Sequence, residues 1–363
     1  MGVASRRRSA LQAVADPDDG CTFLGYKHRM RIAVTGGAGF IGSHLTERLL
    51  EAGHDVLCID SFDGFYPAPV KLANLSASAA HPRFSLAAFD LCDAAVLDQT
   101  FAQWHPEIVF HLAATAGVRP SIERPAAYVQ ANVVASQAVL SACHTHAVAR
   151  LIMAGSSSVY GRDQAAPFRE ECASGEPQSP YAASKRSMEL LAAAHASVHD
   201  ATVTVCRFFT VYGPRQRPDL AISRFVRAML AGRSITVFGD GTFARDFTFV
   251  DDTVSGLLAC LSAPRGFRIY NLGAGKPCSV ADLVTTIERV LGMKATIVRE
   301  PEQRGDVPLT FASVDRARSE LGWQTRVSLE QGIRAFAEWA SAAPDVYFRV
   351  GEPWSLGRSV GEN

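Results

Sequence analysis

The sequence predicts an α/β fold, a doubly wound parallel sheet with a smaller α+β region toward the C-terminus, on three observations. From Arg31 onward short apolar runs alternate with longer helical stretches, the mark of βαβ units. A glycine-rich turn, Gly36-Gly37-Ala38-Gly39-Phe40-Ile41-Gly42, separates the first apolar run from the first helical stretch. After Gly213-Pro214 the alternation weakens, shorter strands mix with helices, and no linker rich in Pro, Gly or Ser marks off an independent domain.

Taken in order, residues 31–35 read as the first strand, 39–52 as the first helix and 54–60 as the second strand. Later strands read at 84–86, 108–111, 151–153 and 202–208, with helices near 93–103, 126–146 and 180–198 filling the gaps. Beyond 213, strands at 234–238 and 268–272 mix with helices near 220–231, 251–262, 279–291, 314–321 and 328–341. The expected organisation is a disordered extension over 1–29, a cofactor-binding domain over 30–212, a mainly substrate-binding region over 213–345 with segments returning to the sheet, and a tail over 346–363. That region would roof the carboxyl ends of the strands, where open α/β sheets take ligands.

Composition narrows the class. With 363 residues and 48% apolar content the chain is long enough for a substantial core. Charges balance at 36 against 36, so no global field draws nucleic acid or an anionic membrane, and neither is expected as a partner. No apolar run approaches the roughly 20 residues needed to span a bilayer. Arg6-Arg7-Arg8 is followed by the acidic Asp16-Pro17-Asp18-Asp19, without the apolar stretch of a secretory signal. The eight cysteines are scattered, with no Cys-x-x-Cys pair and no histidine cluster at zinc spacing, so no metal is expected and a reducing, cytoplasmic setting is.

Gly36-x-x-Gly39-x-x-Gly42 lies between a strand and a helix, where a phosphate-binding turn of a Rossmann-type sheet belongs. Glycines there permit a tight turn and close approach of backbone to pyrophosphate, and Phe40 and Ile41 open a helix whose N-terminus supplies unpaired N–H groups. Asp60, 18 residues past Gly42 at the end of the second strand, can hold a ribose diol and would repel a 2′-phosphate, which selects NAD over NADP. Asp90-Leu91 after the third strand either reaches the adenine edge or starts the next helix. Leu112-Ala113-Ala114 ends the fourth strand with small side chains that let a cofactor pass close to the backbone.

Tyr181 and Lys185 stand four apart and share a helix face, so the ammonium can favour the phenolate of a tyrosine serving as base. Ser156-Ser157-Ser158 lies 25 residues earlier. These stretches, with Arg207-Phe-Phe-Thr-Val-Tyr-Gly-Pro214, Arg245-Asp-Phe-Thr-Phe-Val-Asp-Asp252 and Arg304-Gly-Asp-Val-Pro308, resemble the extended short-chain dehydrogenase/reductase family and, within it, the nucleotide-sugar 4-epimerases. The resemblance runs from about Arg31 to Ala340. It implies Tyr181 as base, Lys185 holding the nicotinamide ribose and lowering the tyrosine pKa, and Ser156 on the sugar 4-hydroxyl, with a 4-keto sugar formed and reduced again on its other face.

The same resemblance bears on the subclass. Related 4,6-dehydratases carry an Asp-Glu pair where this chain has Ser157 and Ser158, so elimination of water is disfavoured. Decarboxylating relatives commonly carry an acidic residue at the second place. Thr210-Val-Tyr-Gly-Pro-Arg-Gln-Arg217-Pro-Asp219 looks like the UDP-glucuronate 4-epimerases, with Arg217 to pair a carboxylate bidentately and Thr210 and Ser157 to add hydroxyl donors. Arg217 read by itself also suits a solvated loop or a diphosphate. Arg245 is expected at the diphosphate and Asp306 at the uridine ribose, while Asp246 reads as structural. Ser313, where an aspartate is frequent, departs from the pattern. The alternatives are a UDP-glucose 4-epimerase and a non-catalytic nucleotide-sugar sensor on the same fold. Helices near 126–146 and 180–198 resemble those through which relatives pair as homodimers.

Overall fold

The computed structural model describes residues 28–64, 67–161, 165–172, 175–302 and 307–347. Its first half is a run of βαβ units: β1 (Arg31–Thr35), α1 (Phe40–Glu51), β2 (Asp55–Asp60), α2 (Ala68–Asn74), α3 (Ser76–Ala79), β3 (Phe84–Ala88), α4 (Ala94–Trp104) and β4 (Ile108–His111). There follow α5 (Val118–Glu123), α6 (Pro125–Val129), a π turn over Gln130–Val134, α7 (Ala135–Thr145), β5 (Arg150–Ser156), a 3₁₀ turn over Ser157–Tyr160, α8 (Pro180–His199) and β6 (Val203–Phe208). The expected strands of this half are all present. The helix expected over 126–146 is instead three pieces, its ladder widened at the π turn, where the Asn132 side chain is buried.

Shorter elements make up the remainder: β7 (Thr210–Tyr212), α9 (Ala221–Leu230), β8 (Ile235–Phe238), β9 (Ala244–Phe249), α10 (Val250–Ala259), β10 (Phe267–Leu272), β11 (Pro277–Ser279), α11 (Val280–Leu291), β12 (Ile297–Glu300), β13 (Leu309–Thr310), α12 (Asp315–Leu321) and α13 (Leu329–Ala342). The main sheet has seven strands in the order β10-β6-β5-β4-β1-β2-β3, each pairing parallel. The strand at 268–272 therefore returns to the sheet, its Phe267 opposite Val203 and Leu272 opposite Phe208. The smaller region centres on β9, which pairs parallel with β7 and β13 and antiparallel with β11.

Central strands buried on both faces read as continuous apolar runs, and β1 and β4 do so, with Ile32, Ala33, Val34, Val109 and Phe110 fully buried. One face is sealed by α4, α7 and α8 through Leu97, Phe101, Val139, Leu140, Met188 and Ala192. The other shares a single cluster with the smaller region, in which Ile32, Val34 and Leu45 are joined to Tyr212, Phe225, Phe249, Leu272 and Phe336. Among the described residues the two regions thus share one core.

Two boundary expectations change. Arg29, expected in the extension, pairs with Asp55 at 2.5 Å. Val346 and Tyr347, expected in the tail, pack against Val70 and Trp339, with Tyr347 buried. Among the described residues no helix is long and apolar enough to cross a membrane.

Candidate active site

Where the order of the sheet reverses, β1 and β4 lie side by side and their following loops diverge, which opens a crevice at the carboxyl ends of the strands. A cavity of about 490 Å³ occupies it. Gly36, Gly39, Phe40, Ile41 and Gly42 line one end, with Leu112 and Ala114. Gly36 adopts φ +69°, and a side chain there would put its Cβ 2.7 Å from the Ala113 nitrogen, so only glycine lets the turn sit this close to the end of β4. The first turn of α1 carries no side-chain cap, and its residues Phe40, Ile41 and Gly42 line this end of the cavity.

Not every expected cofactor residue lines the space. Asp60 is buried, and its carboxylate accepts from the backbone N–H of Ala38 at 3.2 Å and of Phe62 at 2.9 Å and from Lys71 Nζ at 3.1 Å. Ala113 gives its N–H to Thr35 Oγ1 at 3.3 Å. Asp90 is exposed and accepts from the Cys92 N–H at 2.9 Å, while Asp93 caps α4 through the Val96 N–H. Leu91 packs in the core with Leu97 and Phe101. The cap of α4 is therefore Asp93, and Asp90 shapes the turn before it.

The expected catalytic group comes together. Ser179 caps α8 by accepting from the Ala182 N–H at 3.1 Å, Pro180 takes the first helical position, and Tyr181 and Lys185 follow one turn apart. Both line the cavity with Ser156, the last residue of β5. Ser156 Oγ lies 2.9 Å from Ser158 Oγ and accepts from the Ser158 N–H, closing the 3₁₀ turn that presents Ser157. Burial pushes the Tyr181 phenol up, and the Ser156 hydroxyl and the Arg217 guanidinium pull it back.

Lys185 is buried one turn beyond Tyr181 on α8. Its Nζ donates to the Ala154 carbonyl at 2.8 Å, and burial pushes the ammonium down to about 8 against the opposing pull of Glu189. Glu189, one turn beyond Lys185, is itself held by the buried Arg207 of β6 through bonds of 2.8 and 2.9 Å, which fixes the register of α8 on the sheet.

Arg217 lines the cavity and forks onto Asp219 at 3.0 and 2.7 Å. Its segment is docked to α1, since Arg215 bonds Glu47 at 2.7 Å and Ser43 at 3.2 Å, and Pro214 O lies 3.0 Å from His44 Nε2. Thr210 opens β7 at the cavity wall, and Arg245 lines it from β9 while donating to the Ala244 carbonyl at 3.0 Å. Asp306 lies outside the described residues. Asp246 anchors backbone, accepting from the N–H groups of Ala274, Gly275 and Ala312, as its structural reading expects.

Two groups near the site escaped the sequence reading. Asn132 in the π turn accepts from the Thr115 N–H at 2.8 Å and donates to Ser184 Oγ at 3.0 Å, tying the loop after β4 to the turn of α8 that bears Tyr181. An asparagine inside the apolar stretch Tyr128-Val-Gln-Ala-Asn-Val-Val134 was the available signal, because a buried amide needs partners. His111 bridges Thr35 Oγ1 at 2.8 Å and Ser136 Oγ at 2.9 Å, and burial with the nearby Lys185 charge pushes it down to about 3, so it stays neutral.

With this geometry in place, similarity to known proteins becomes informative. The NAD dependent epimerase/dehydratase family matches residues 32–273. A probable UDP-glucuronate 4-epimerase of Rhizobium meliloti is 38% identical over 329 residues, covering 85% of this chain and 96% of its own. The crystal structure of a Bacillus cereus UDP-glucuronic acid 4-epimerase in complex with UDP-glucuronic acid and NAD superposes with a TM-score of 0.81 at 34% identity, covering 86% of this chain and 99% of the other. A UDP-glucose 4-epimerase of Thermotoga maritima with UDP-glucose reaches the same TM-score at 31% identity, with the same coverages.

Proposed function

We propose, for a chain that belongs to the NAD dependent epimerase/dehydratase family, that it inverts C4 of a UDP-sugar, converting UDP-glucuronate and UDP-galacturonate through a transient 4-keto sugar. One observation carries the reading: a single cavity holds the glycine turn at one end and Tyr181, Ser156, Ser157, Thr210 and Arg217 at the other. NAD is the cofactor. The glycine turn and the uncapped N-terminus of α1 fit a dinucleotide. Bound there, it supplies a hydride acceptor that is regenerated within each turnover.

The chain's own residues then divide the work. Tyr181 takes the O4 proton and returns it, the Ser156 hydroxyl orients that oxygen, and Lys185, fixed on the Ala154 carbonyl, faces the nicotinamide ribose. Ser157, Thr210 and Arg217 hold the substrate carboxylate, with the guanidinium exchanging Asp219 for the sugar acid. Arg245 serves the diphosphate, and Asp306 the uridine ribose. An oxidised glucuronate is a β-keto acid, so a fixed carboxylate also resists loss of carbon dioxide. Ser157 and Ser158 offer no carboxylate to remove the C5 proton, which disfavours dehydration.

A homodimer accompanies this reading. Ile122, Val129 and Val134 on the α5 to α7 stretch and Leu190 and Val198 on α8 are exposed apolar side chains on neighbouring helices, suited to a second copy. Scattered thiols in the sequence suit a cytoplasmic enzyme. The deciding assay incubates the purified chain with UDP-glucuronate, UDP-glucose or UDP-xylose without added NAD and separates the products. UDP-galacturonate is expected. Conversion of UDP-glucose alone moves the reading to UDP-glucose 4-epimerase, and a pentose product moves it to a decarboxylase.

A further inference from the structure

The glycine turn is gripped by a set of residues that do not line the cavity. Ala38, fully buried at the heart of the turn, has both backbone polar groups committed: its N–H goes to Asp60 at 3.2 Å and its carbonyl accepts from Asn74 Nδ2 at 2.9 Å. Asn74, also fully buried, ends α2, and its Oδ1 accepts from the Tyr347 hydroxyl at 2.8 Å. Both amide atoms of Asn74 are thus used, which sets its orientation. Lys71, one turn earlier on α2, completes the grip through Asp60. Tyr347 is held edge-on by Trp339 of α13, ring centroids 4.9 Å apart, and packs on Val70 of α2. Two side-chain hydrogen bonds therefore link the C-terminal segment to the cofactor turn, the one between Tyr347 and Asn74 spanning 273 residues of sequence.

We propose that Asn74 and Tyr347 are positioning residues that latch the glycine turn and set how long the dinucleotide stays bound. The proposal rests on the dinucleotide reading above. An epimerase hands its hydride back in every cycle, so it gains from a cofactor that does not leave. A turn already fixed in its binding geometry loses little conformational entropy on binding, and that advantage is expressed chiefly in the dissociation rate.

Two substitutions test the latch in the full chain. Tyr347→Phe keeps the packing on Trp339 and removes only the hydroxyl. Asn74→Asp keeps an acceptor for Tyr347 and removes the donor to Ala38. The readout is the NAD dissociation rate, followed by chasing bound NAD with NADH and watching nicotinamide fluorescence, beside the fraction of NAD kept through gel filtration. Each variant is expected to release NAD about fivefold to tenfold faster, the effect of losing one hydrogen bond, with kcat at saturating NAD within about twofold of wild type. Release within about twofold of wild type in folded protein overturns the latch, including when the thermal midpoint falls, since a purely structural role lowers stability alone. A wild-type chain that takes up neither NAD nor NADH brings down the dinucleotide reading itself, and the latch with it.

Discussion

The two ends of the cavity are built on different terms. At the dinucleotide end the polar groups already have partners drawn from other elements of the chain: Asp60 holds the Ala38 N–H and Lys71, and His111 is spanned by Thr35 and Ser136. At the sugar end Ser156 bonds Ser158 and Arg217 forks onto Asp219, each a partner two residues away in sequence. Long-range partners fix a surface before its ligand arrives. Neighbouring partners are exchanged at small cost, because breaking them disturbs no other element. The difference suits a cofactor that stays and a sugar that must turn over between two hydride transfers.

The largest effect should come from removing the one group that belongs to the chemistry alone. Tyr181→Phe is expected to lower kcat about a thousandfold while the protein still retains NAD, as read by product analysis and by the absorbance of the purified protein. Loss of the bound cofactor in that variant would mean that the two ends are not separable. Next comes the guanidinium. Arg217→Ala should cut kcat/KM for UDP-glucuronate by about tenfold to a hundredfold and leave UDP-glucose within about threefold, and equal losses would sink the carboxylate assignment. Asp219→Asn, which removes only the exchangeable partner, should change the same ratio by no more than a fewfold.

The smallest effect concerns the prebuilt end. His111 and His44 are pushed by burial to about 3 and about 4, both below the ordinary histidine value of 6.5. The unfolded chain therefore binds more protons than the native one between those values and 6.5, so native stability is full above about 6.5 and falls as pH drops through that window. Between pH 6 and 5 the loss should be about 1 kcal/mol for each histidine, read from urea midpoints. His111→Gln should flatten its share, and an unchanged slope would remove His111 from the account.

Much of this was legible in the sequence, and what was not has a common cause. The strands of the first half, the glycine turn and α8 follow from local patterns, short apolar runs for the strands and longer helical stretches between them. The small sheet around β9 did not show, because β11 and β13 are two or three residues long and gain their identity only from pairing with a distant strand. Nor did the Ala154 carbonyl that takes Lys185, or the partnership of Asn74 with Tyr347, since nothing near either residue in sequence points to its partner. The site residues whose parts rest on composition and spacing were findable, whereas the contacts that hold them in place were not.

The outermost strand of the main sheet, β10, follows β7, β8 and β9 in the chain yet pairs with β6. The consequence lies in time rather than in space. As the chain leaves the ribosome, the sheet cannot be completed until the stretch between β6 and β10 has emerged, so β6 waits with one edge open. Closing it requires a contact across roughly sixty residues, a slow kind of step that leaves an unpaired strand exposed to other chains meanwhile. Refolding should therefore be limited by the docking of β10, and destabilising Phe267 to Leu272 should slow it more than equal damage in β3 at the opposite edge.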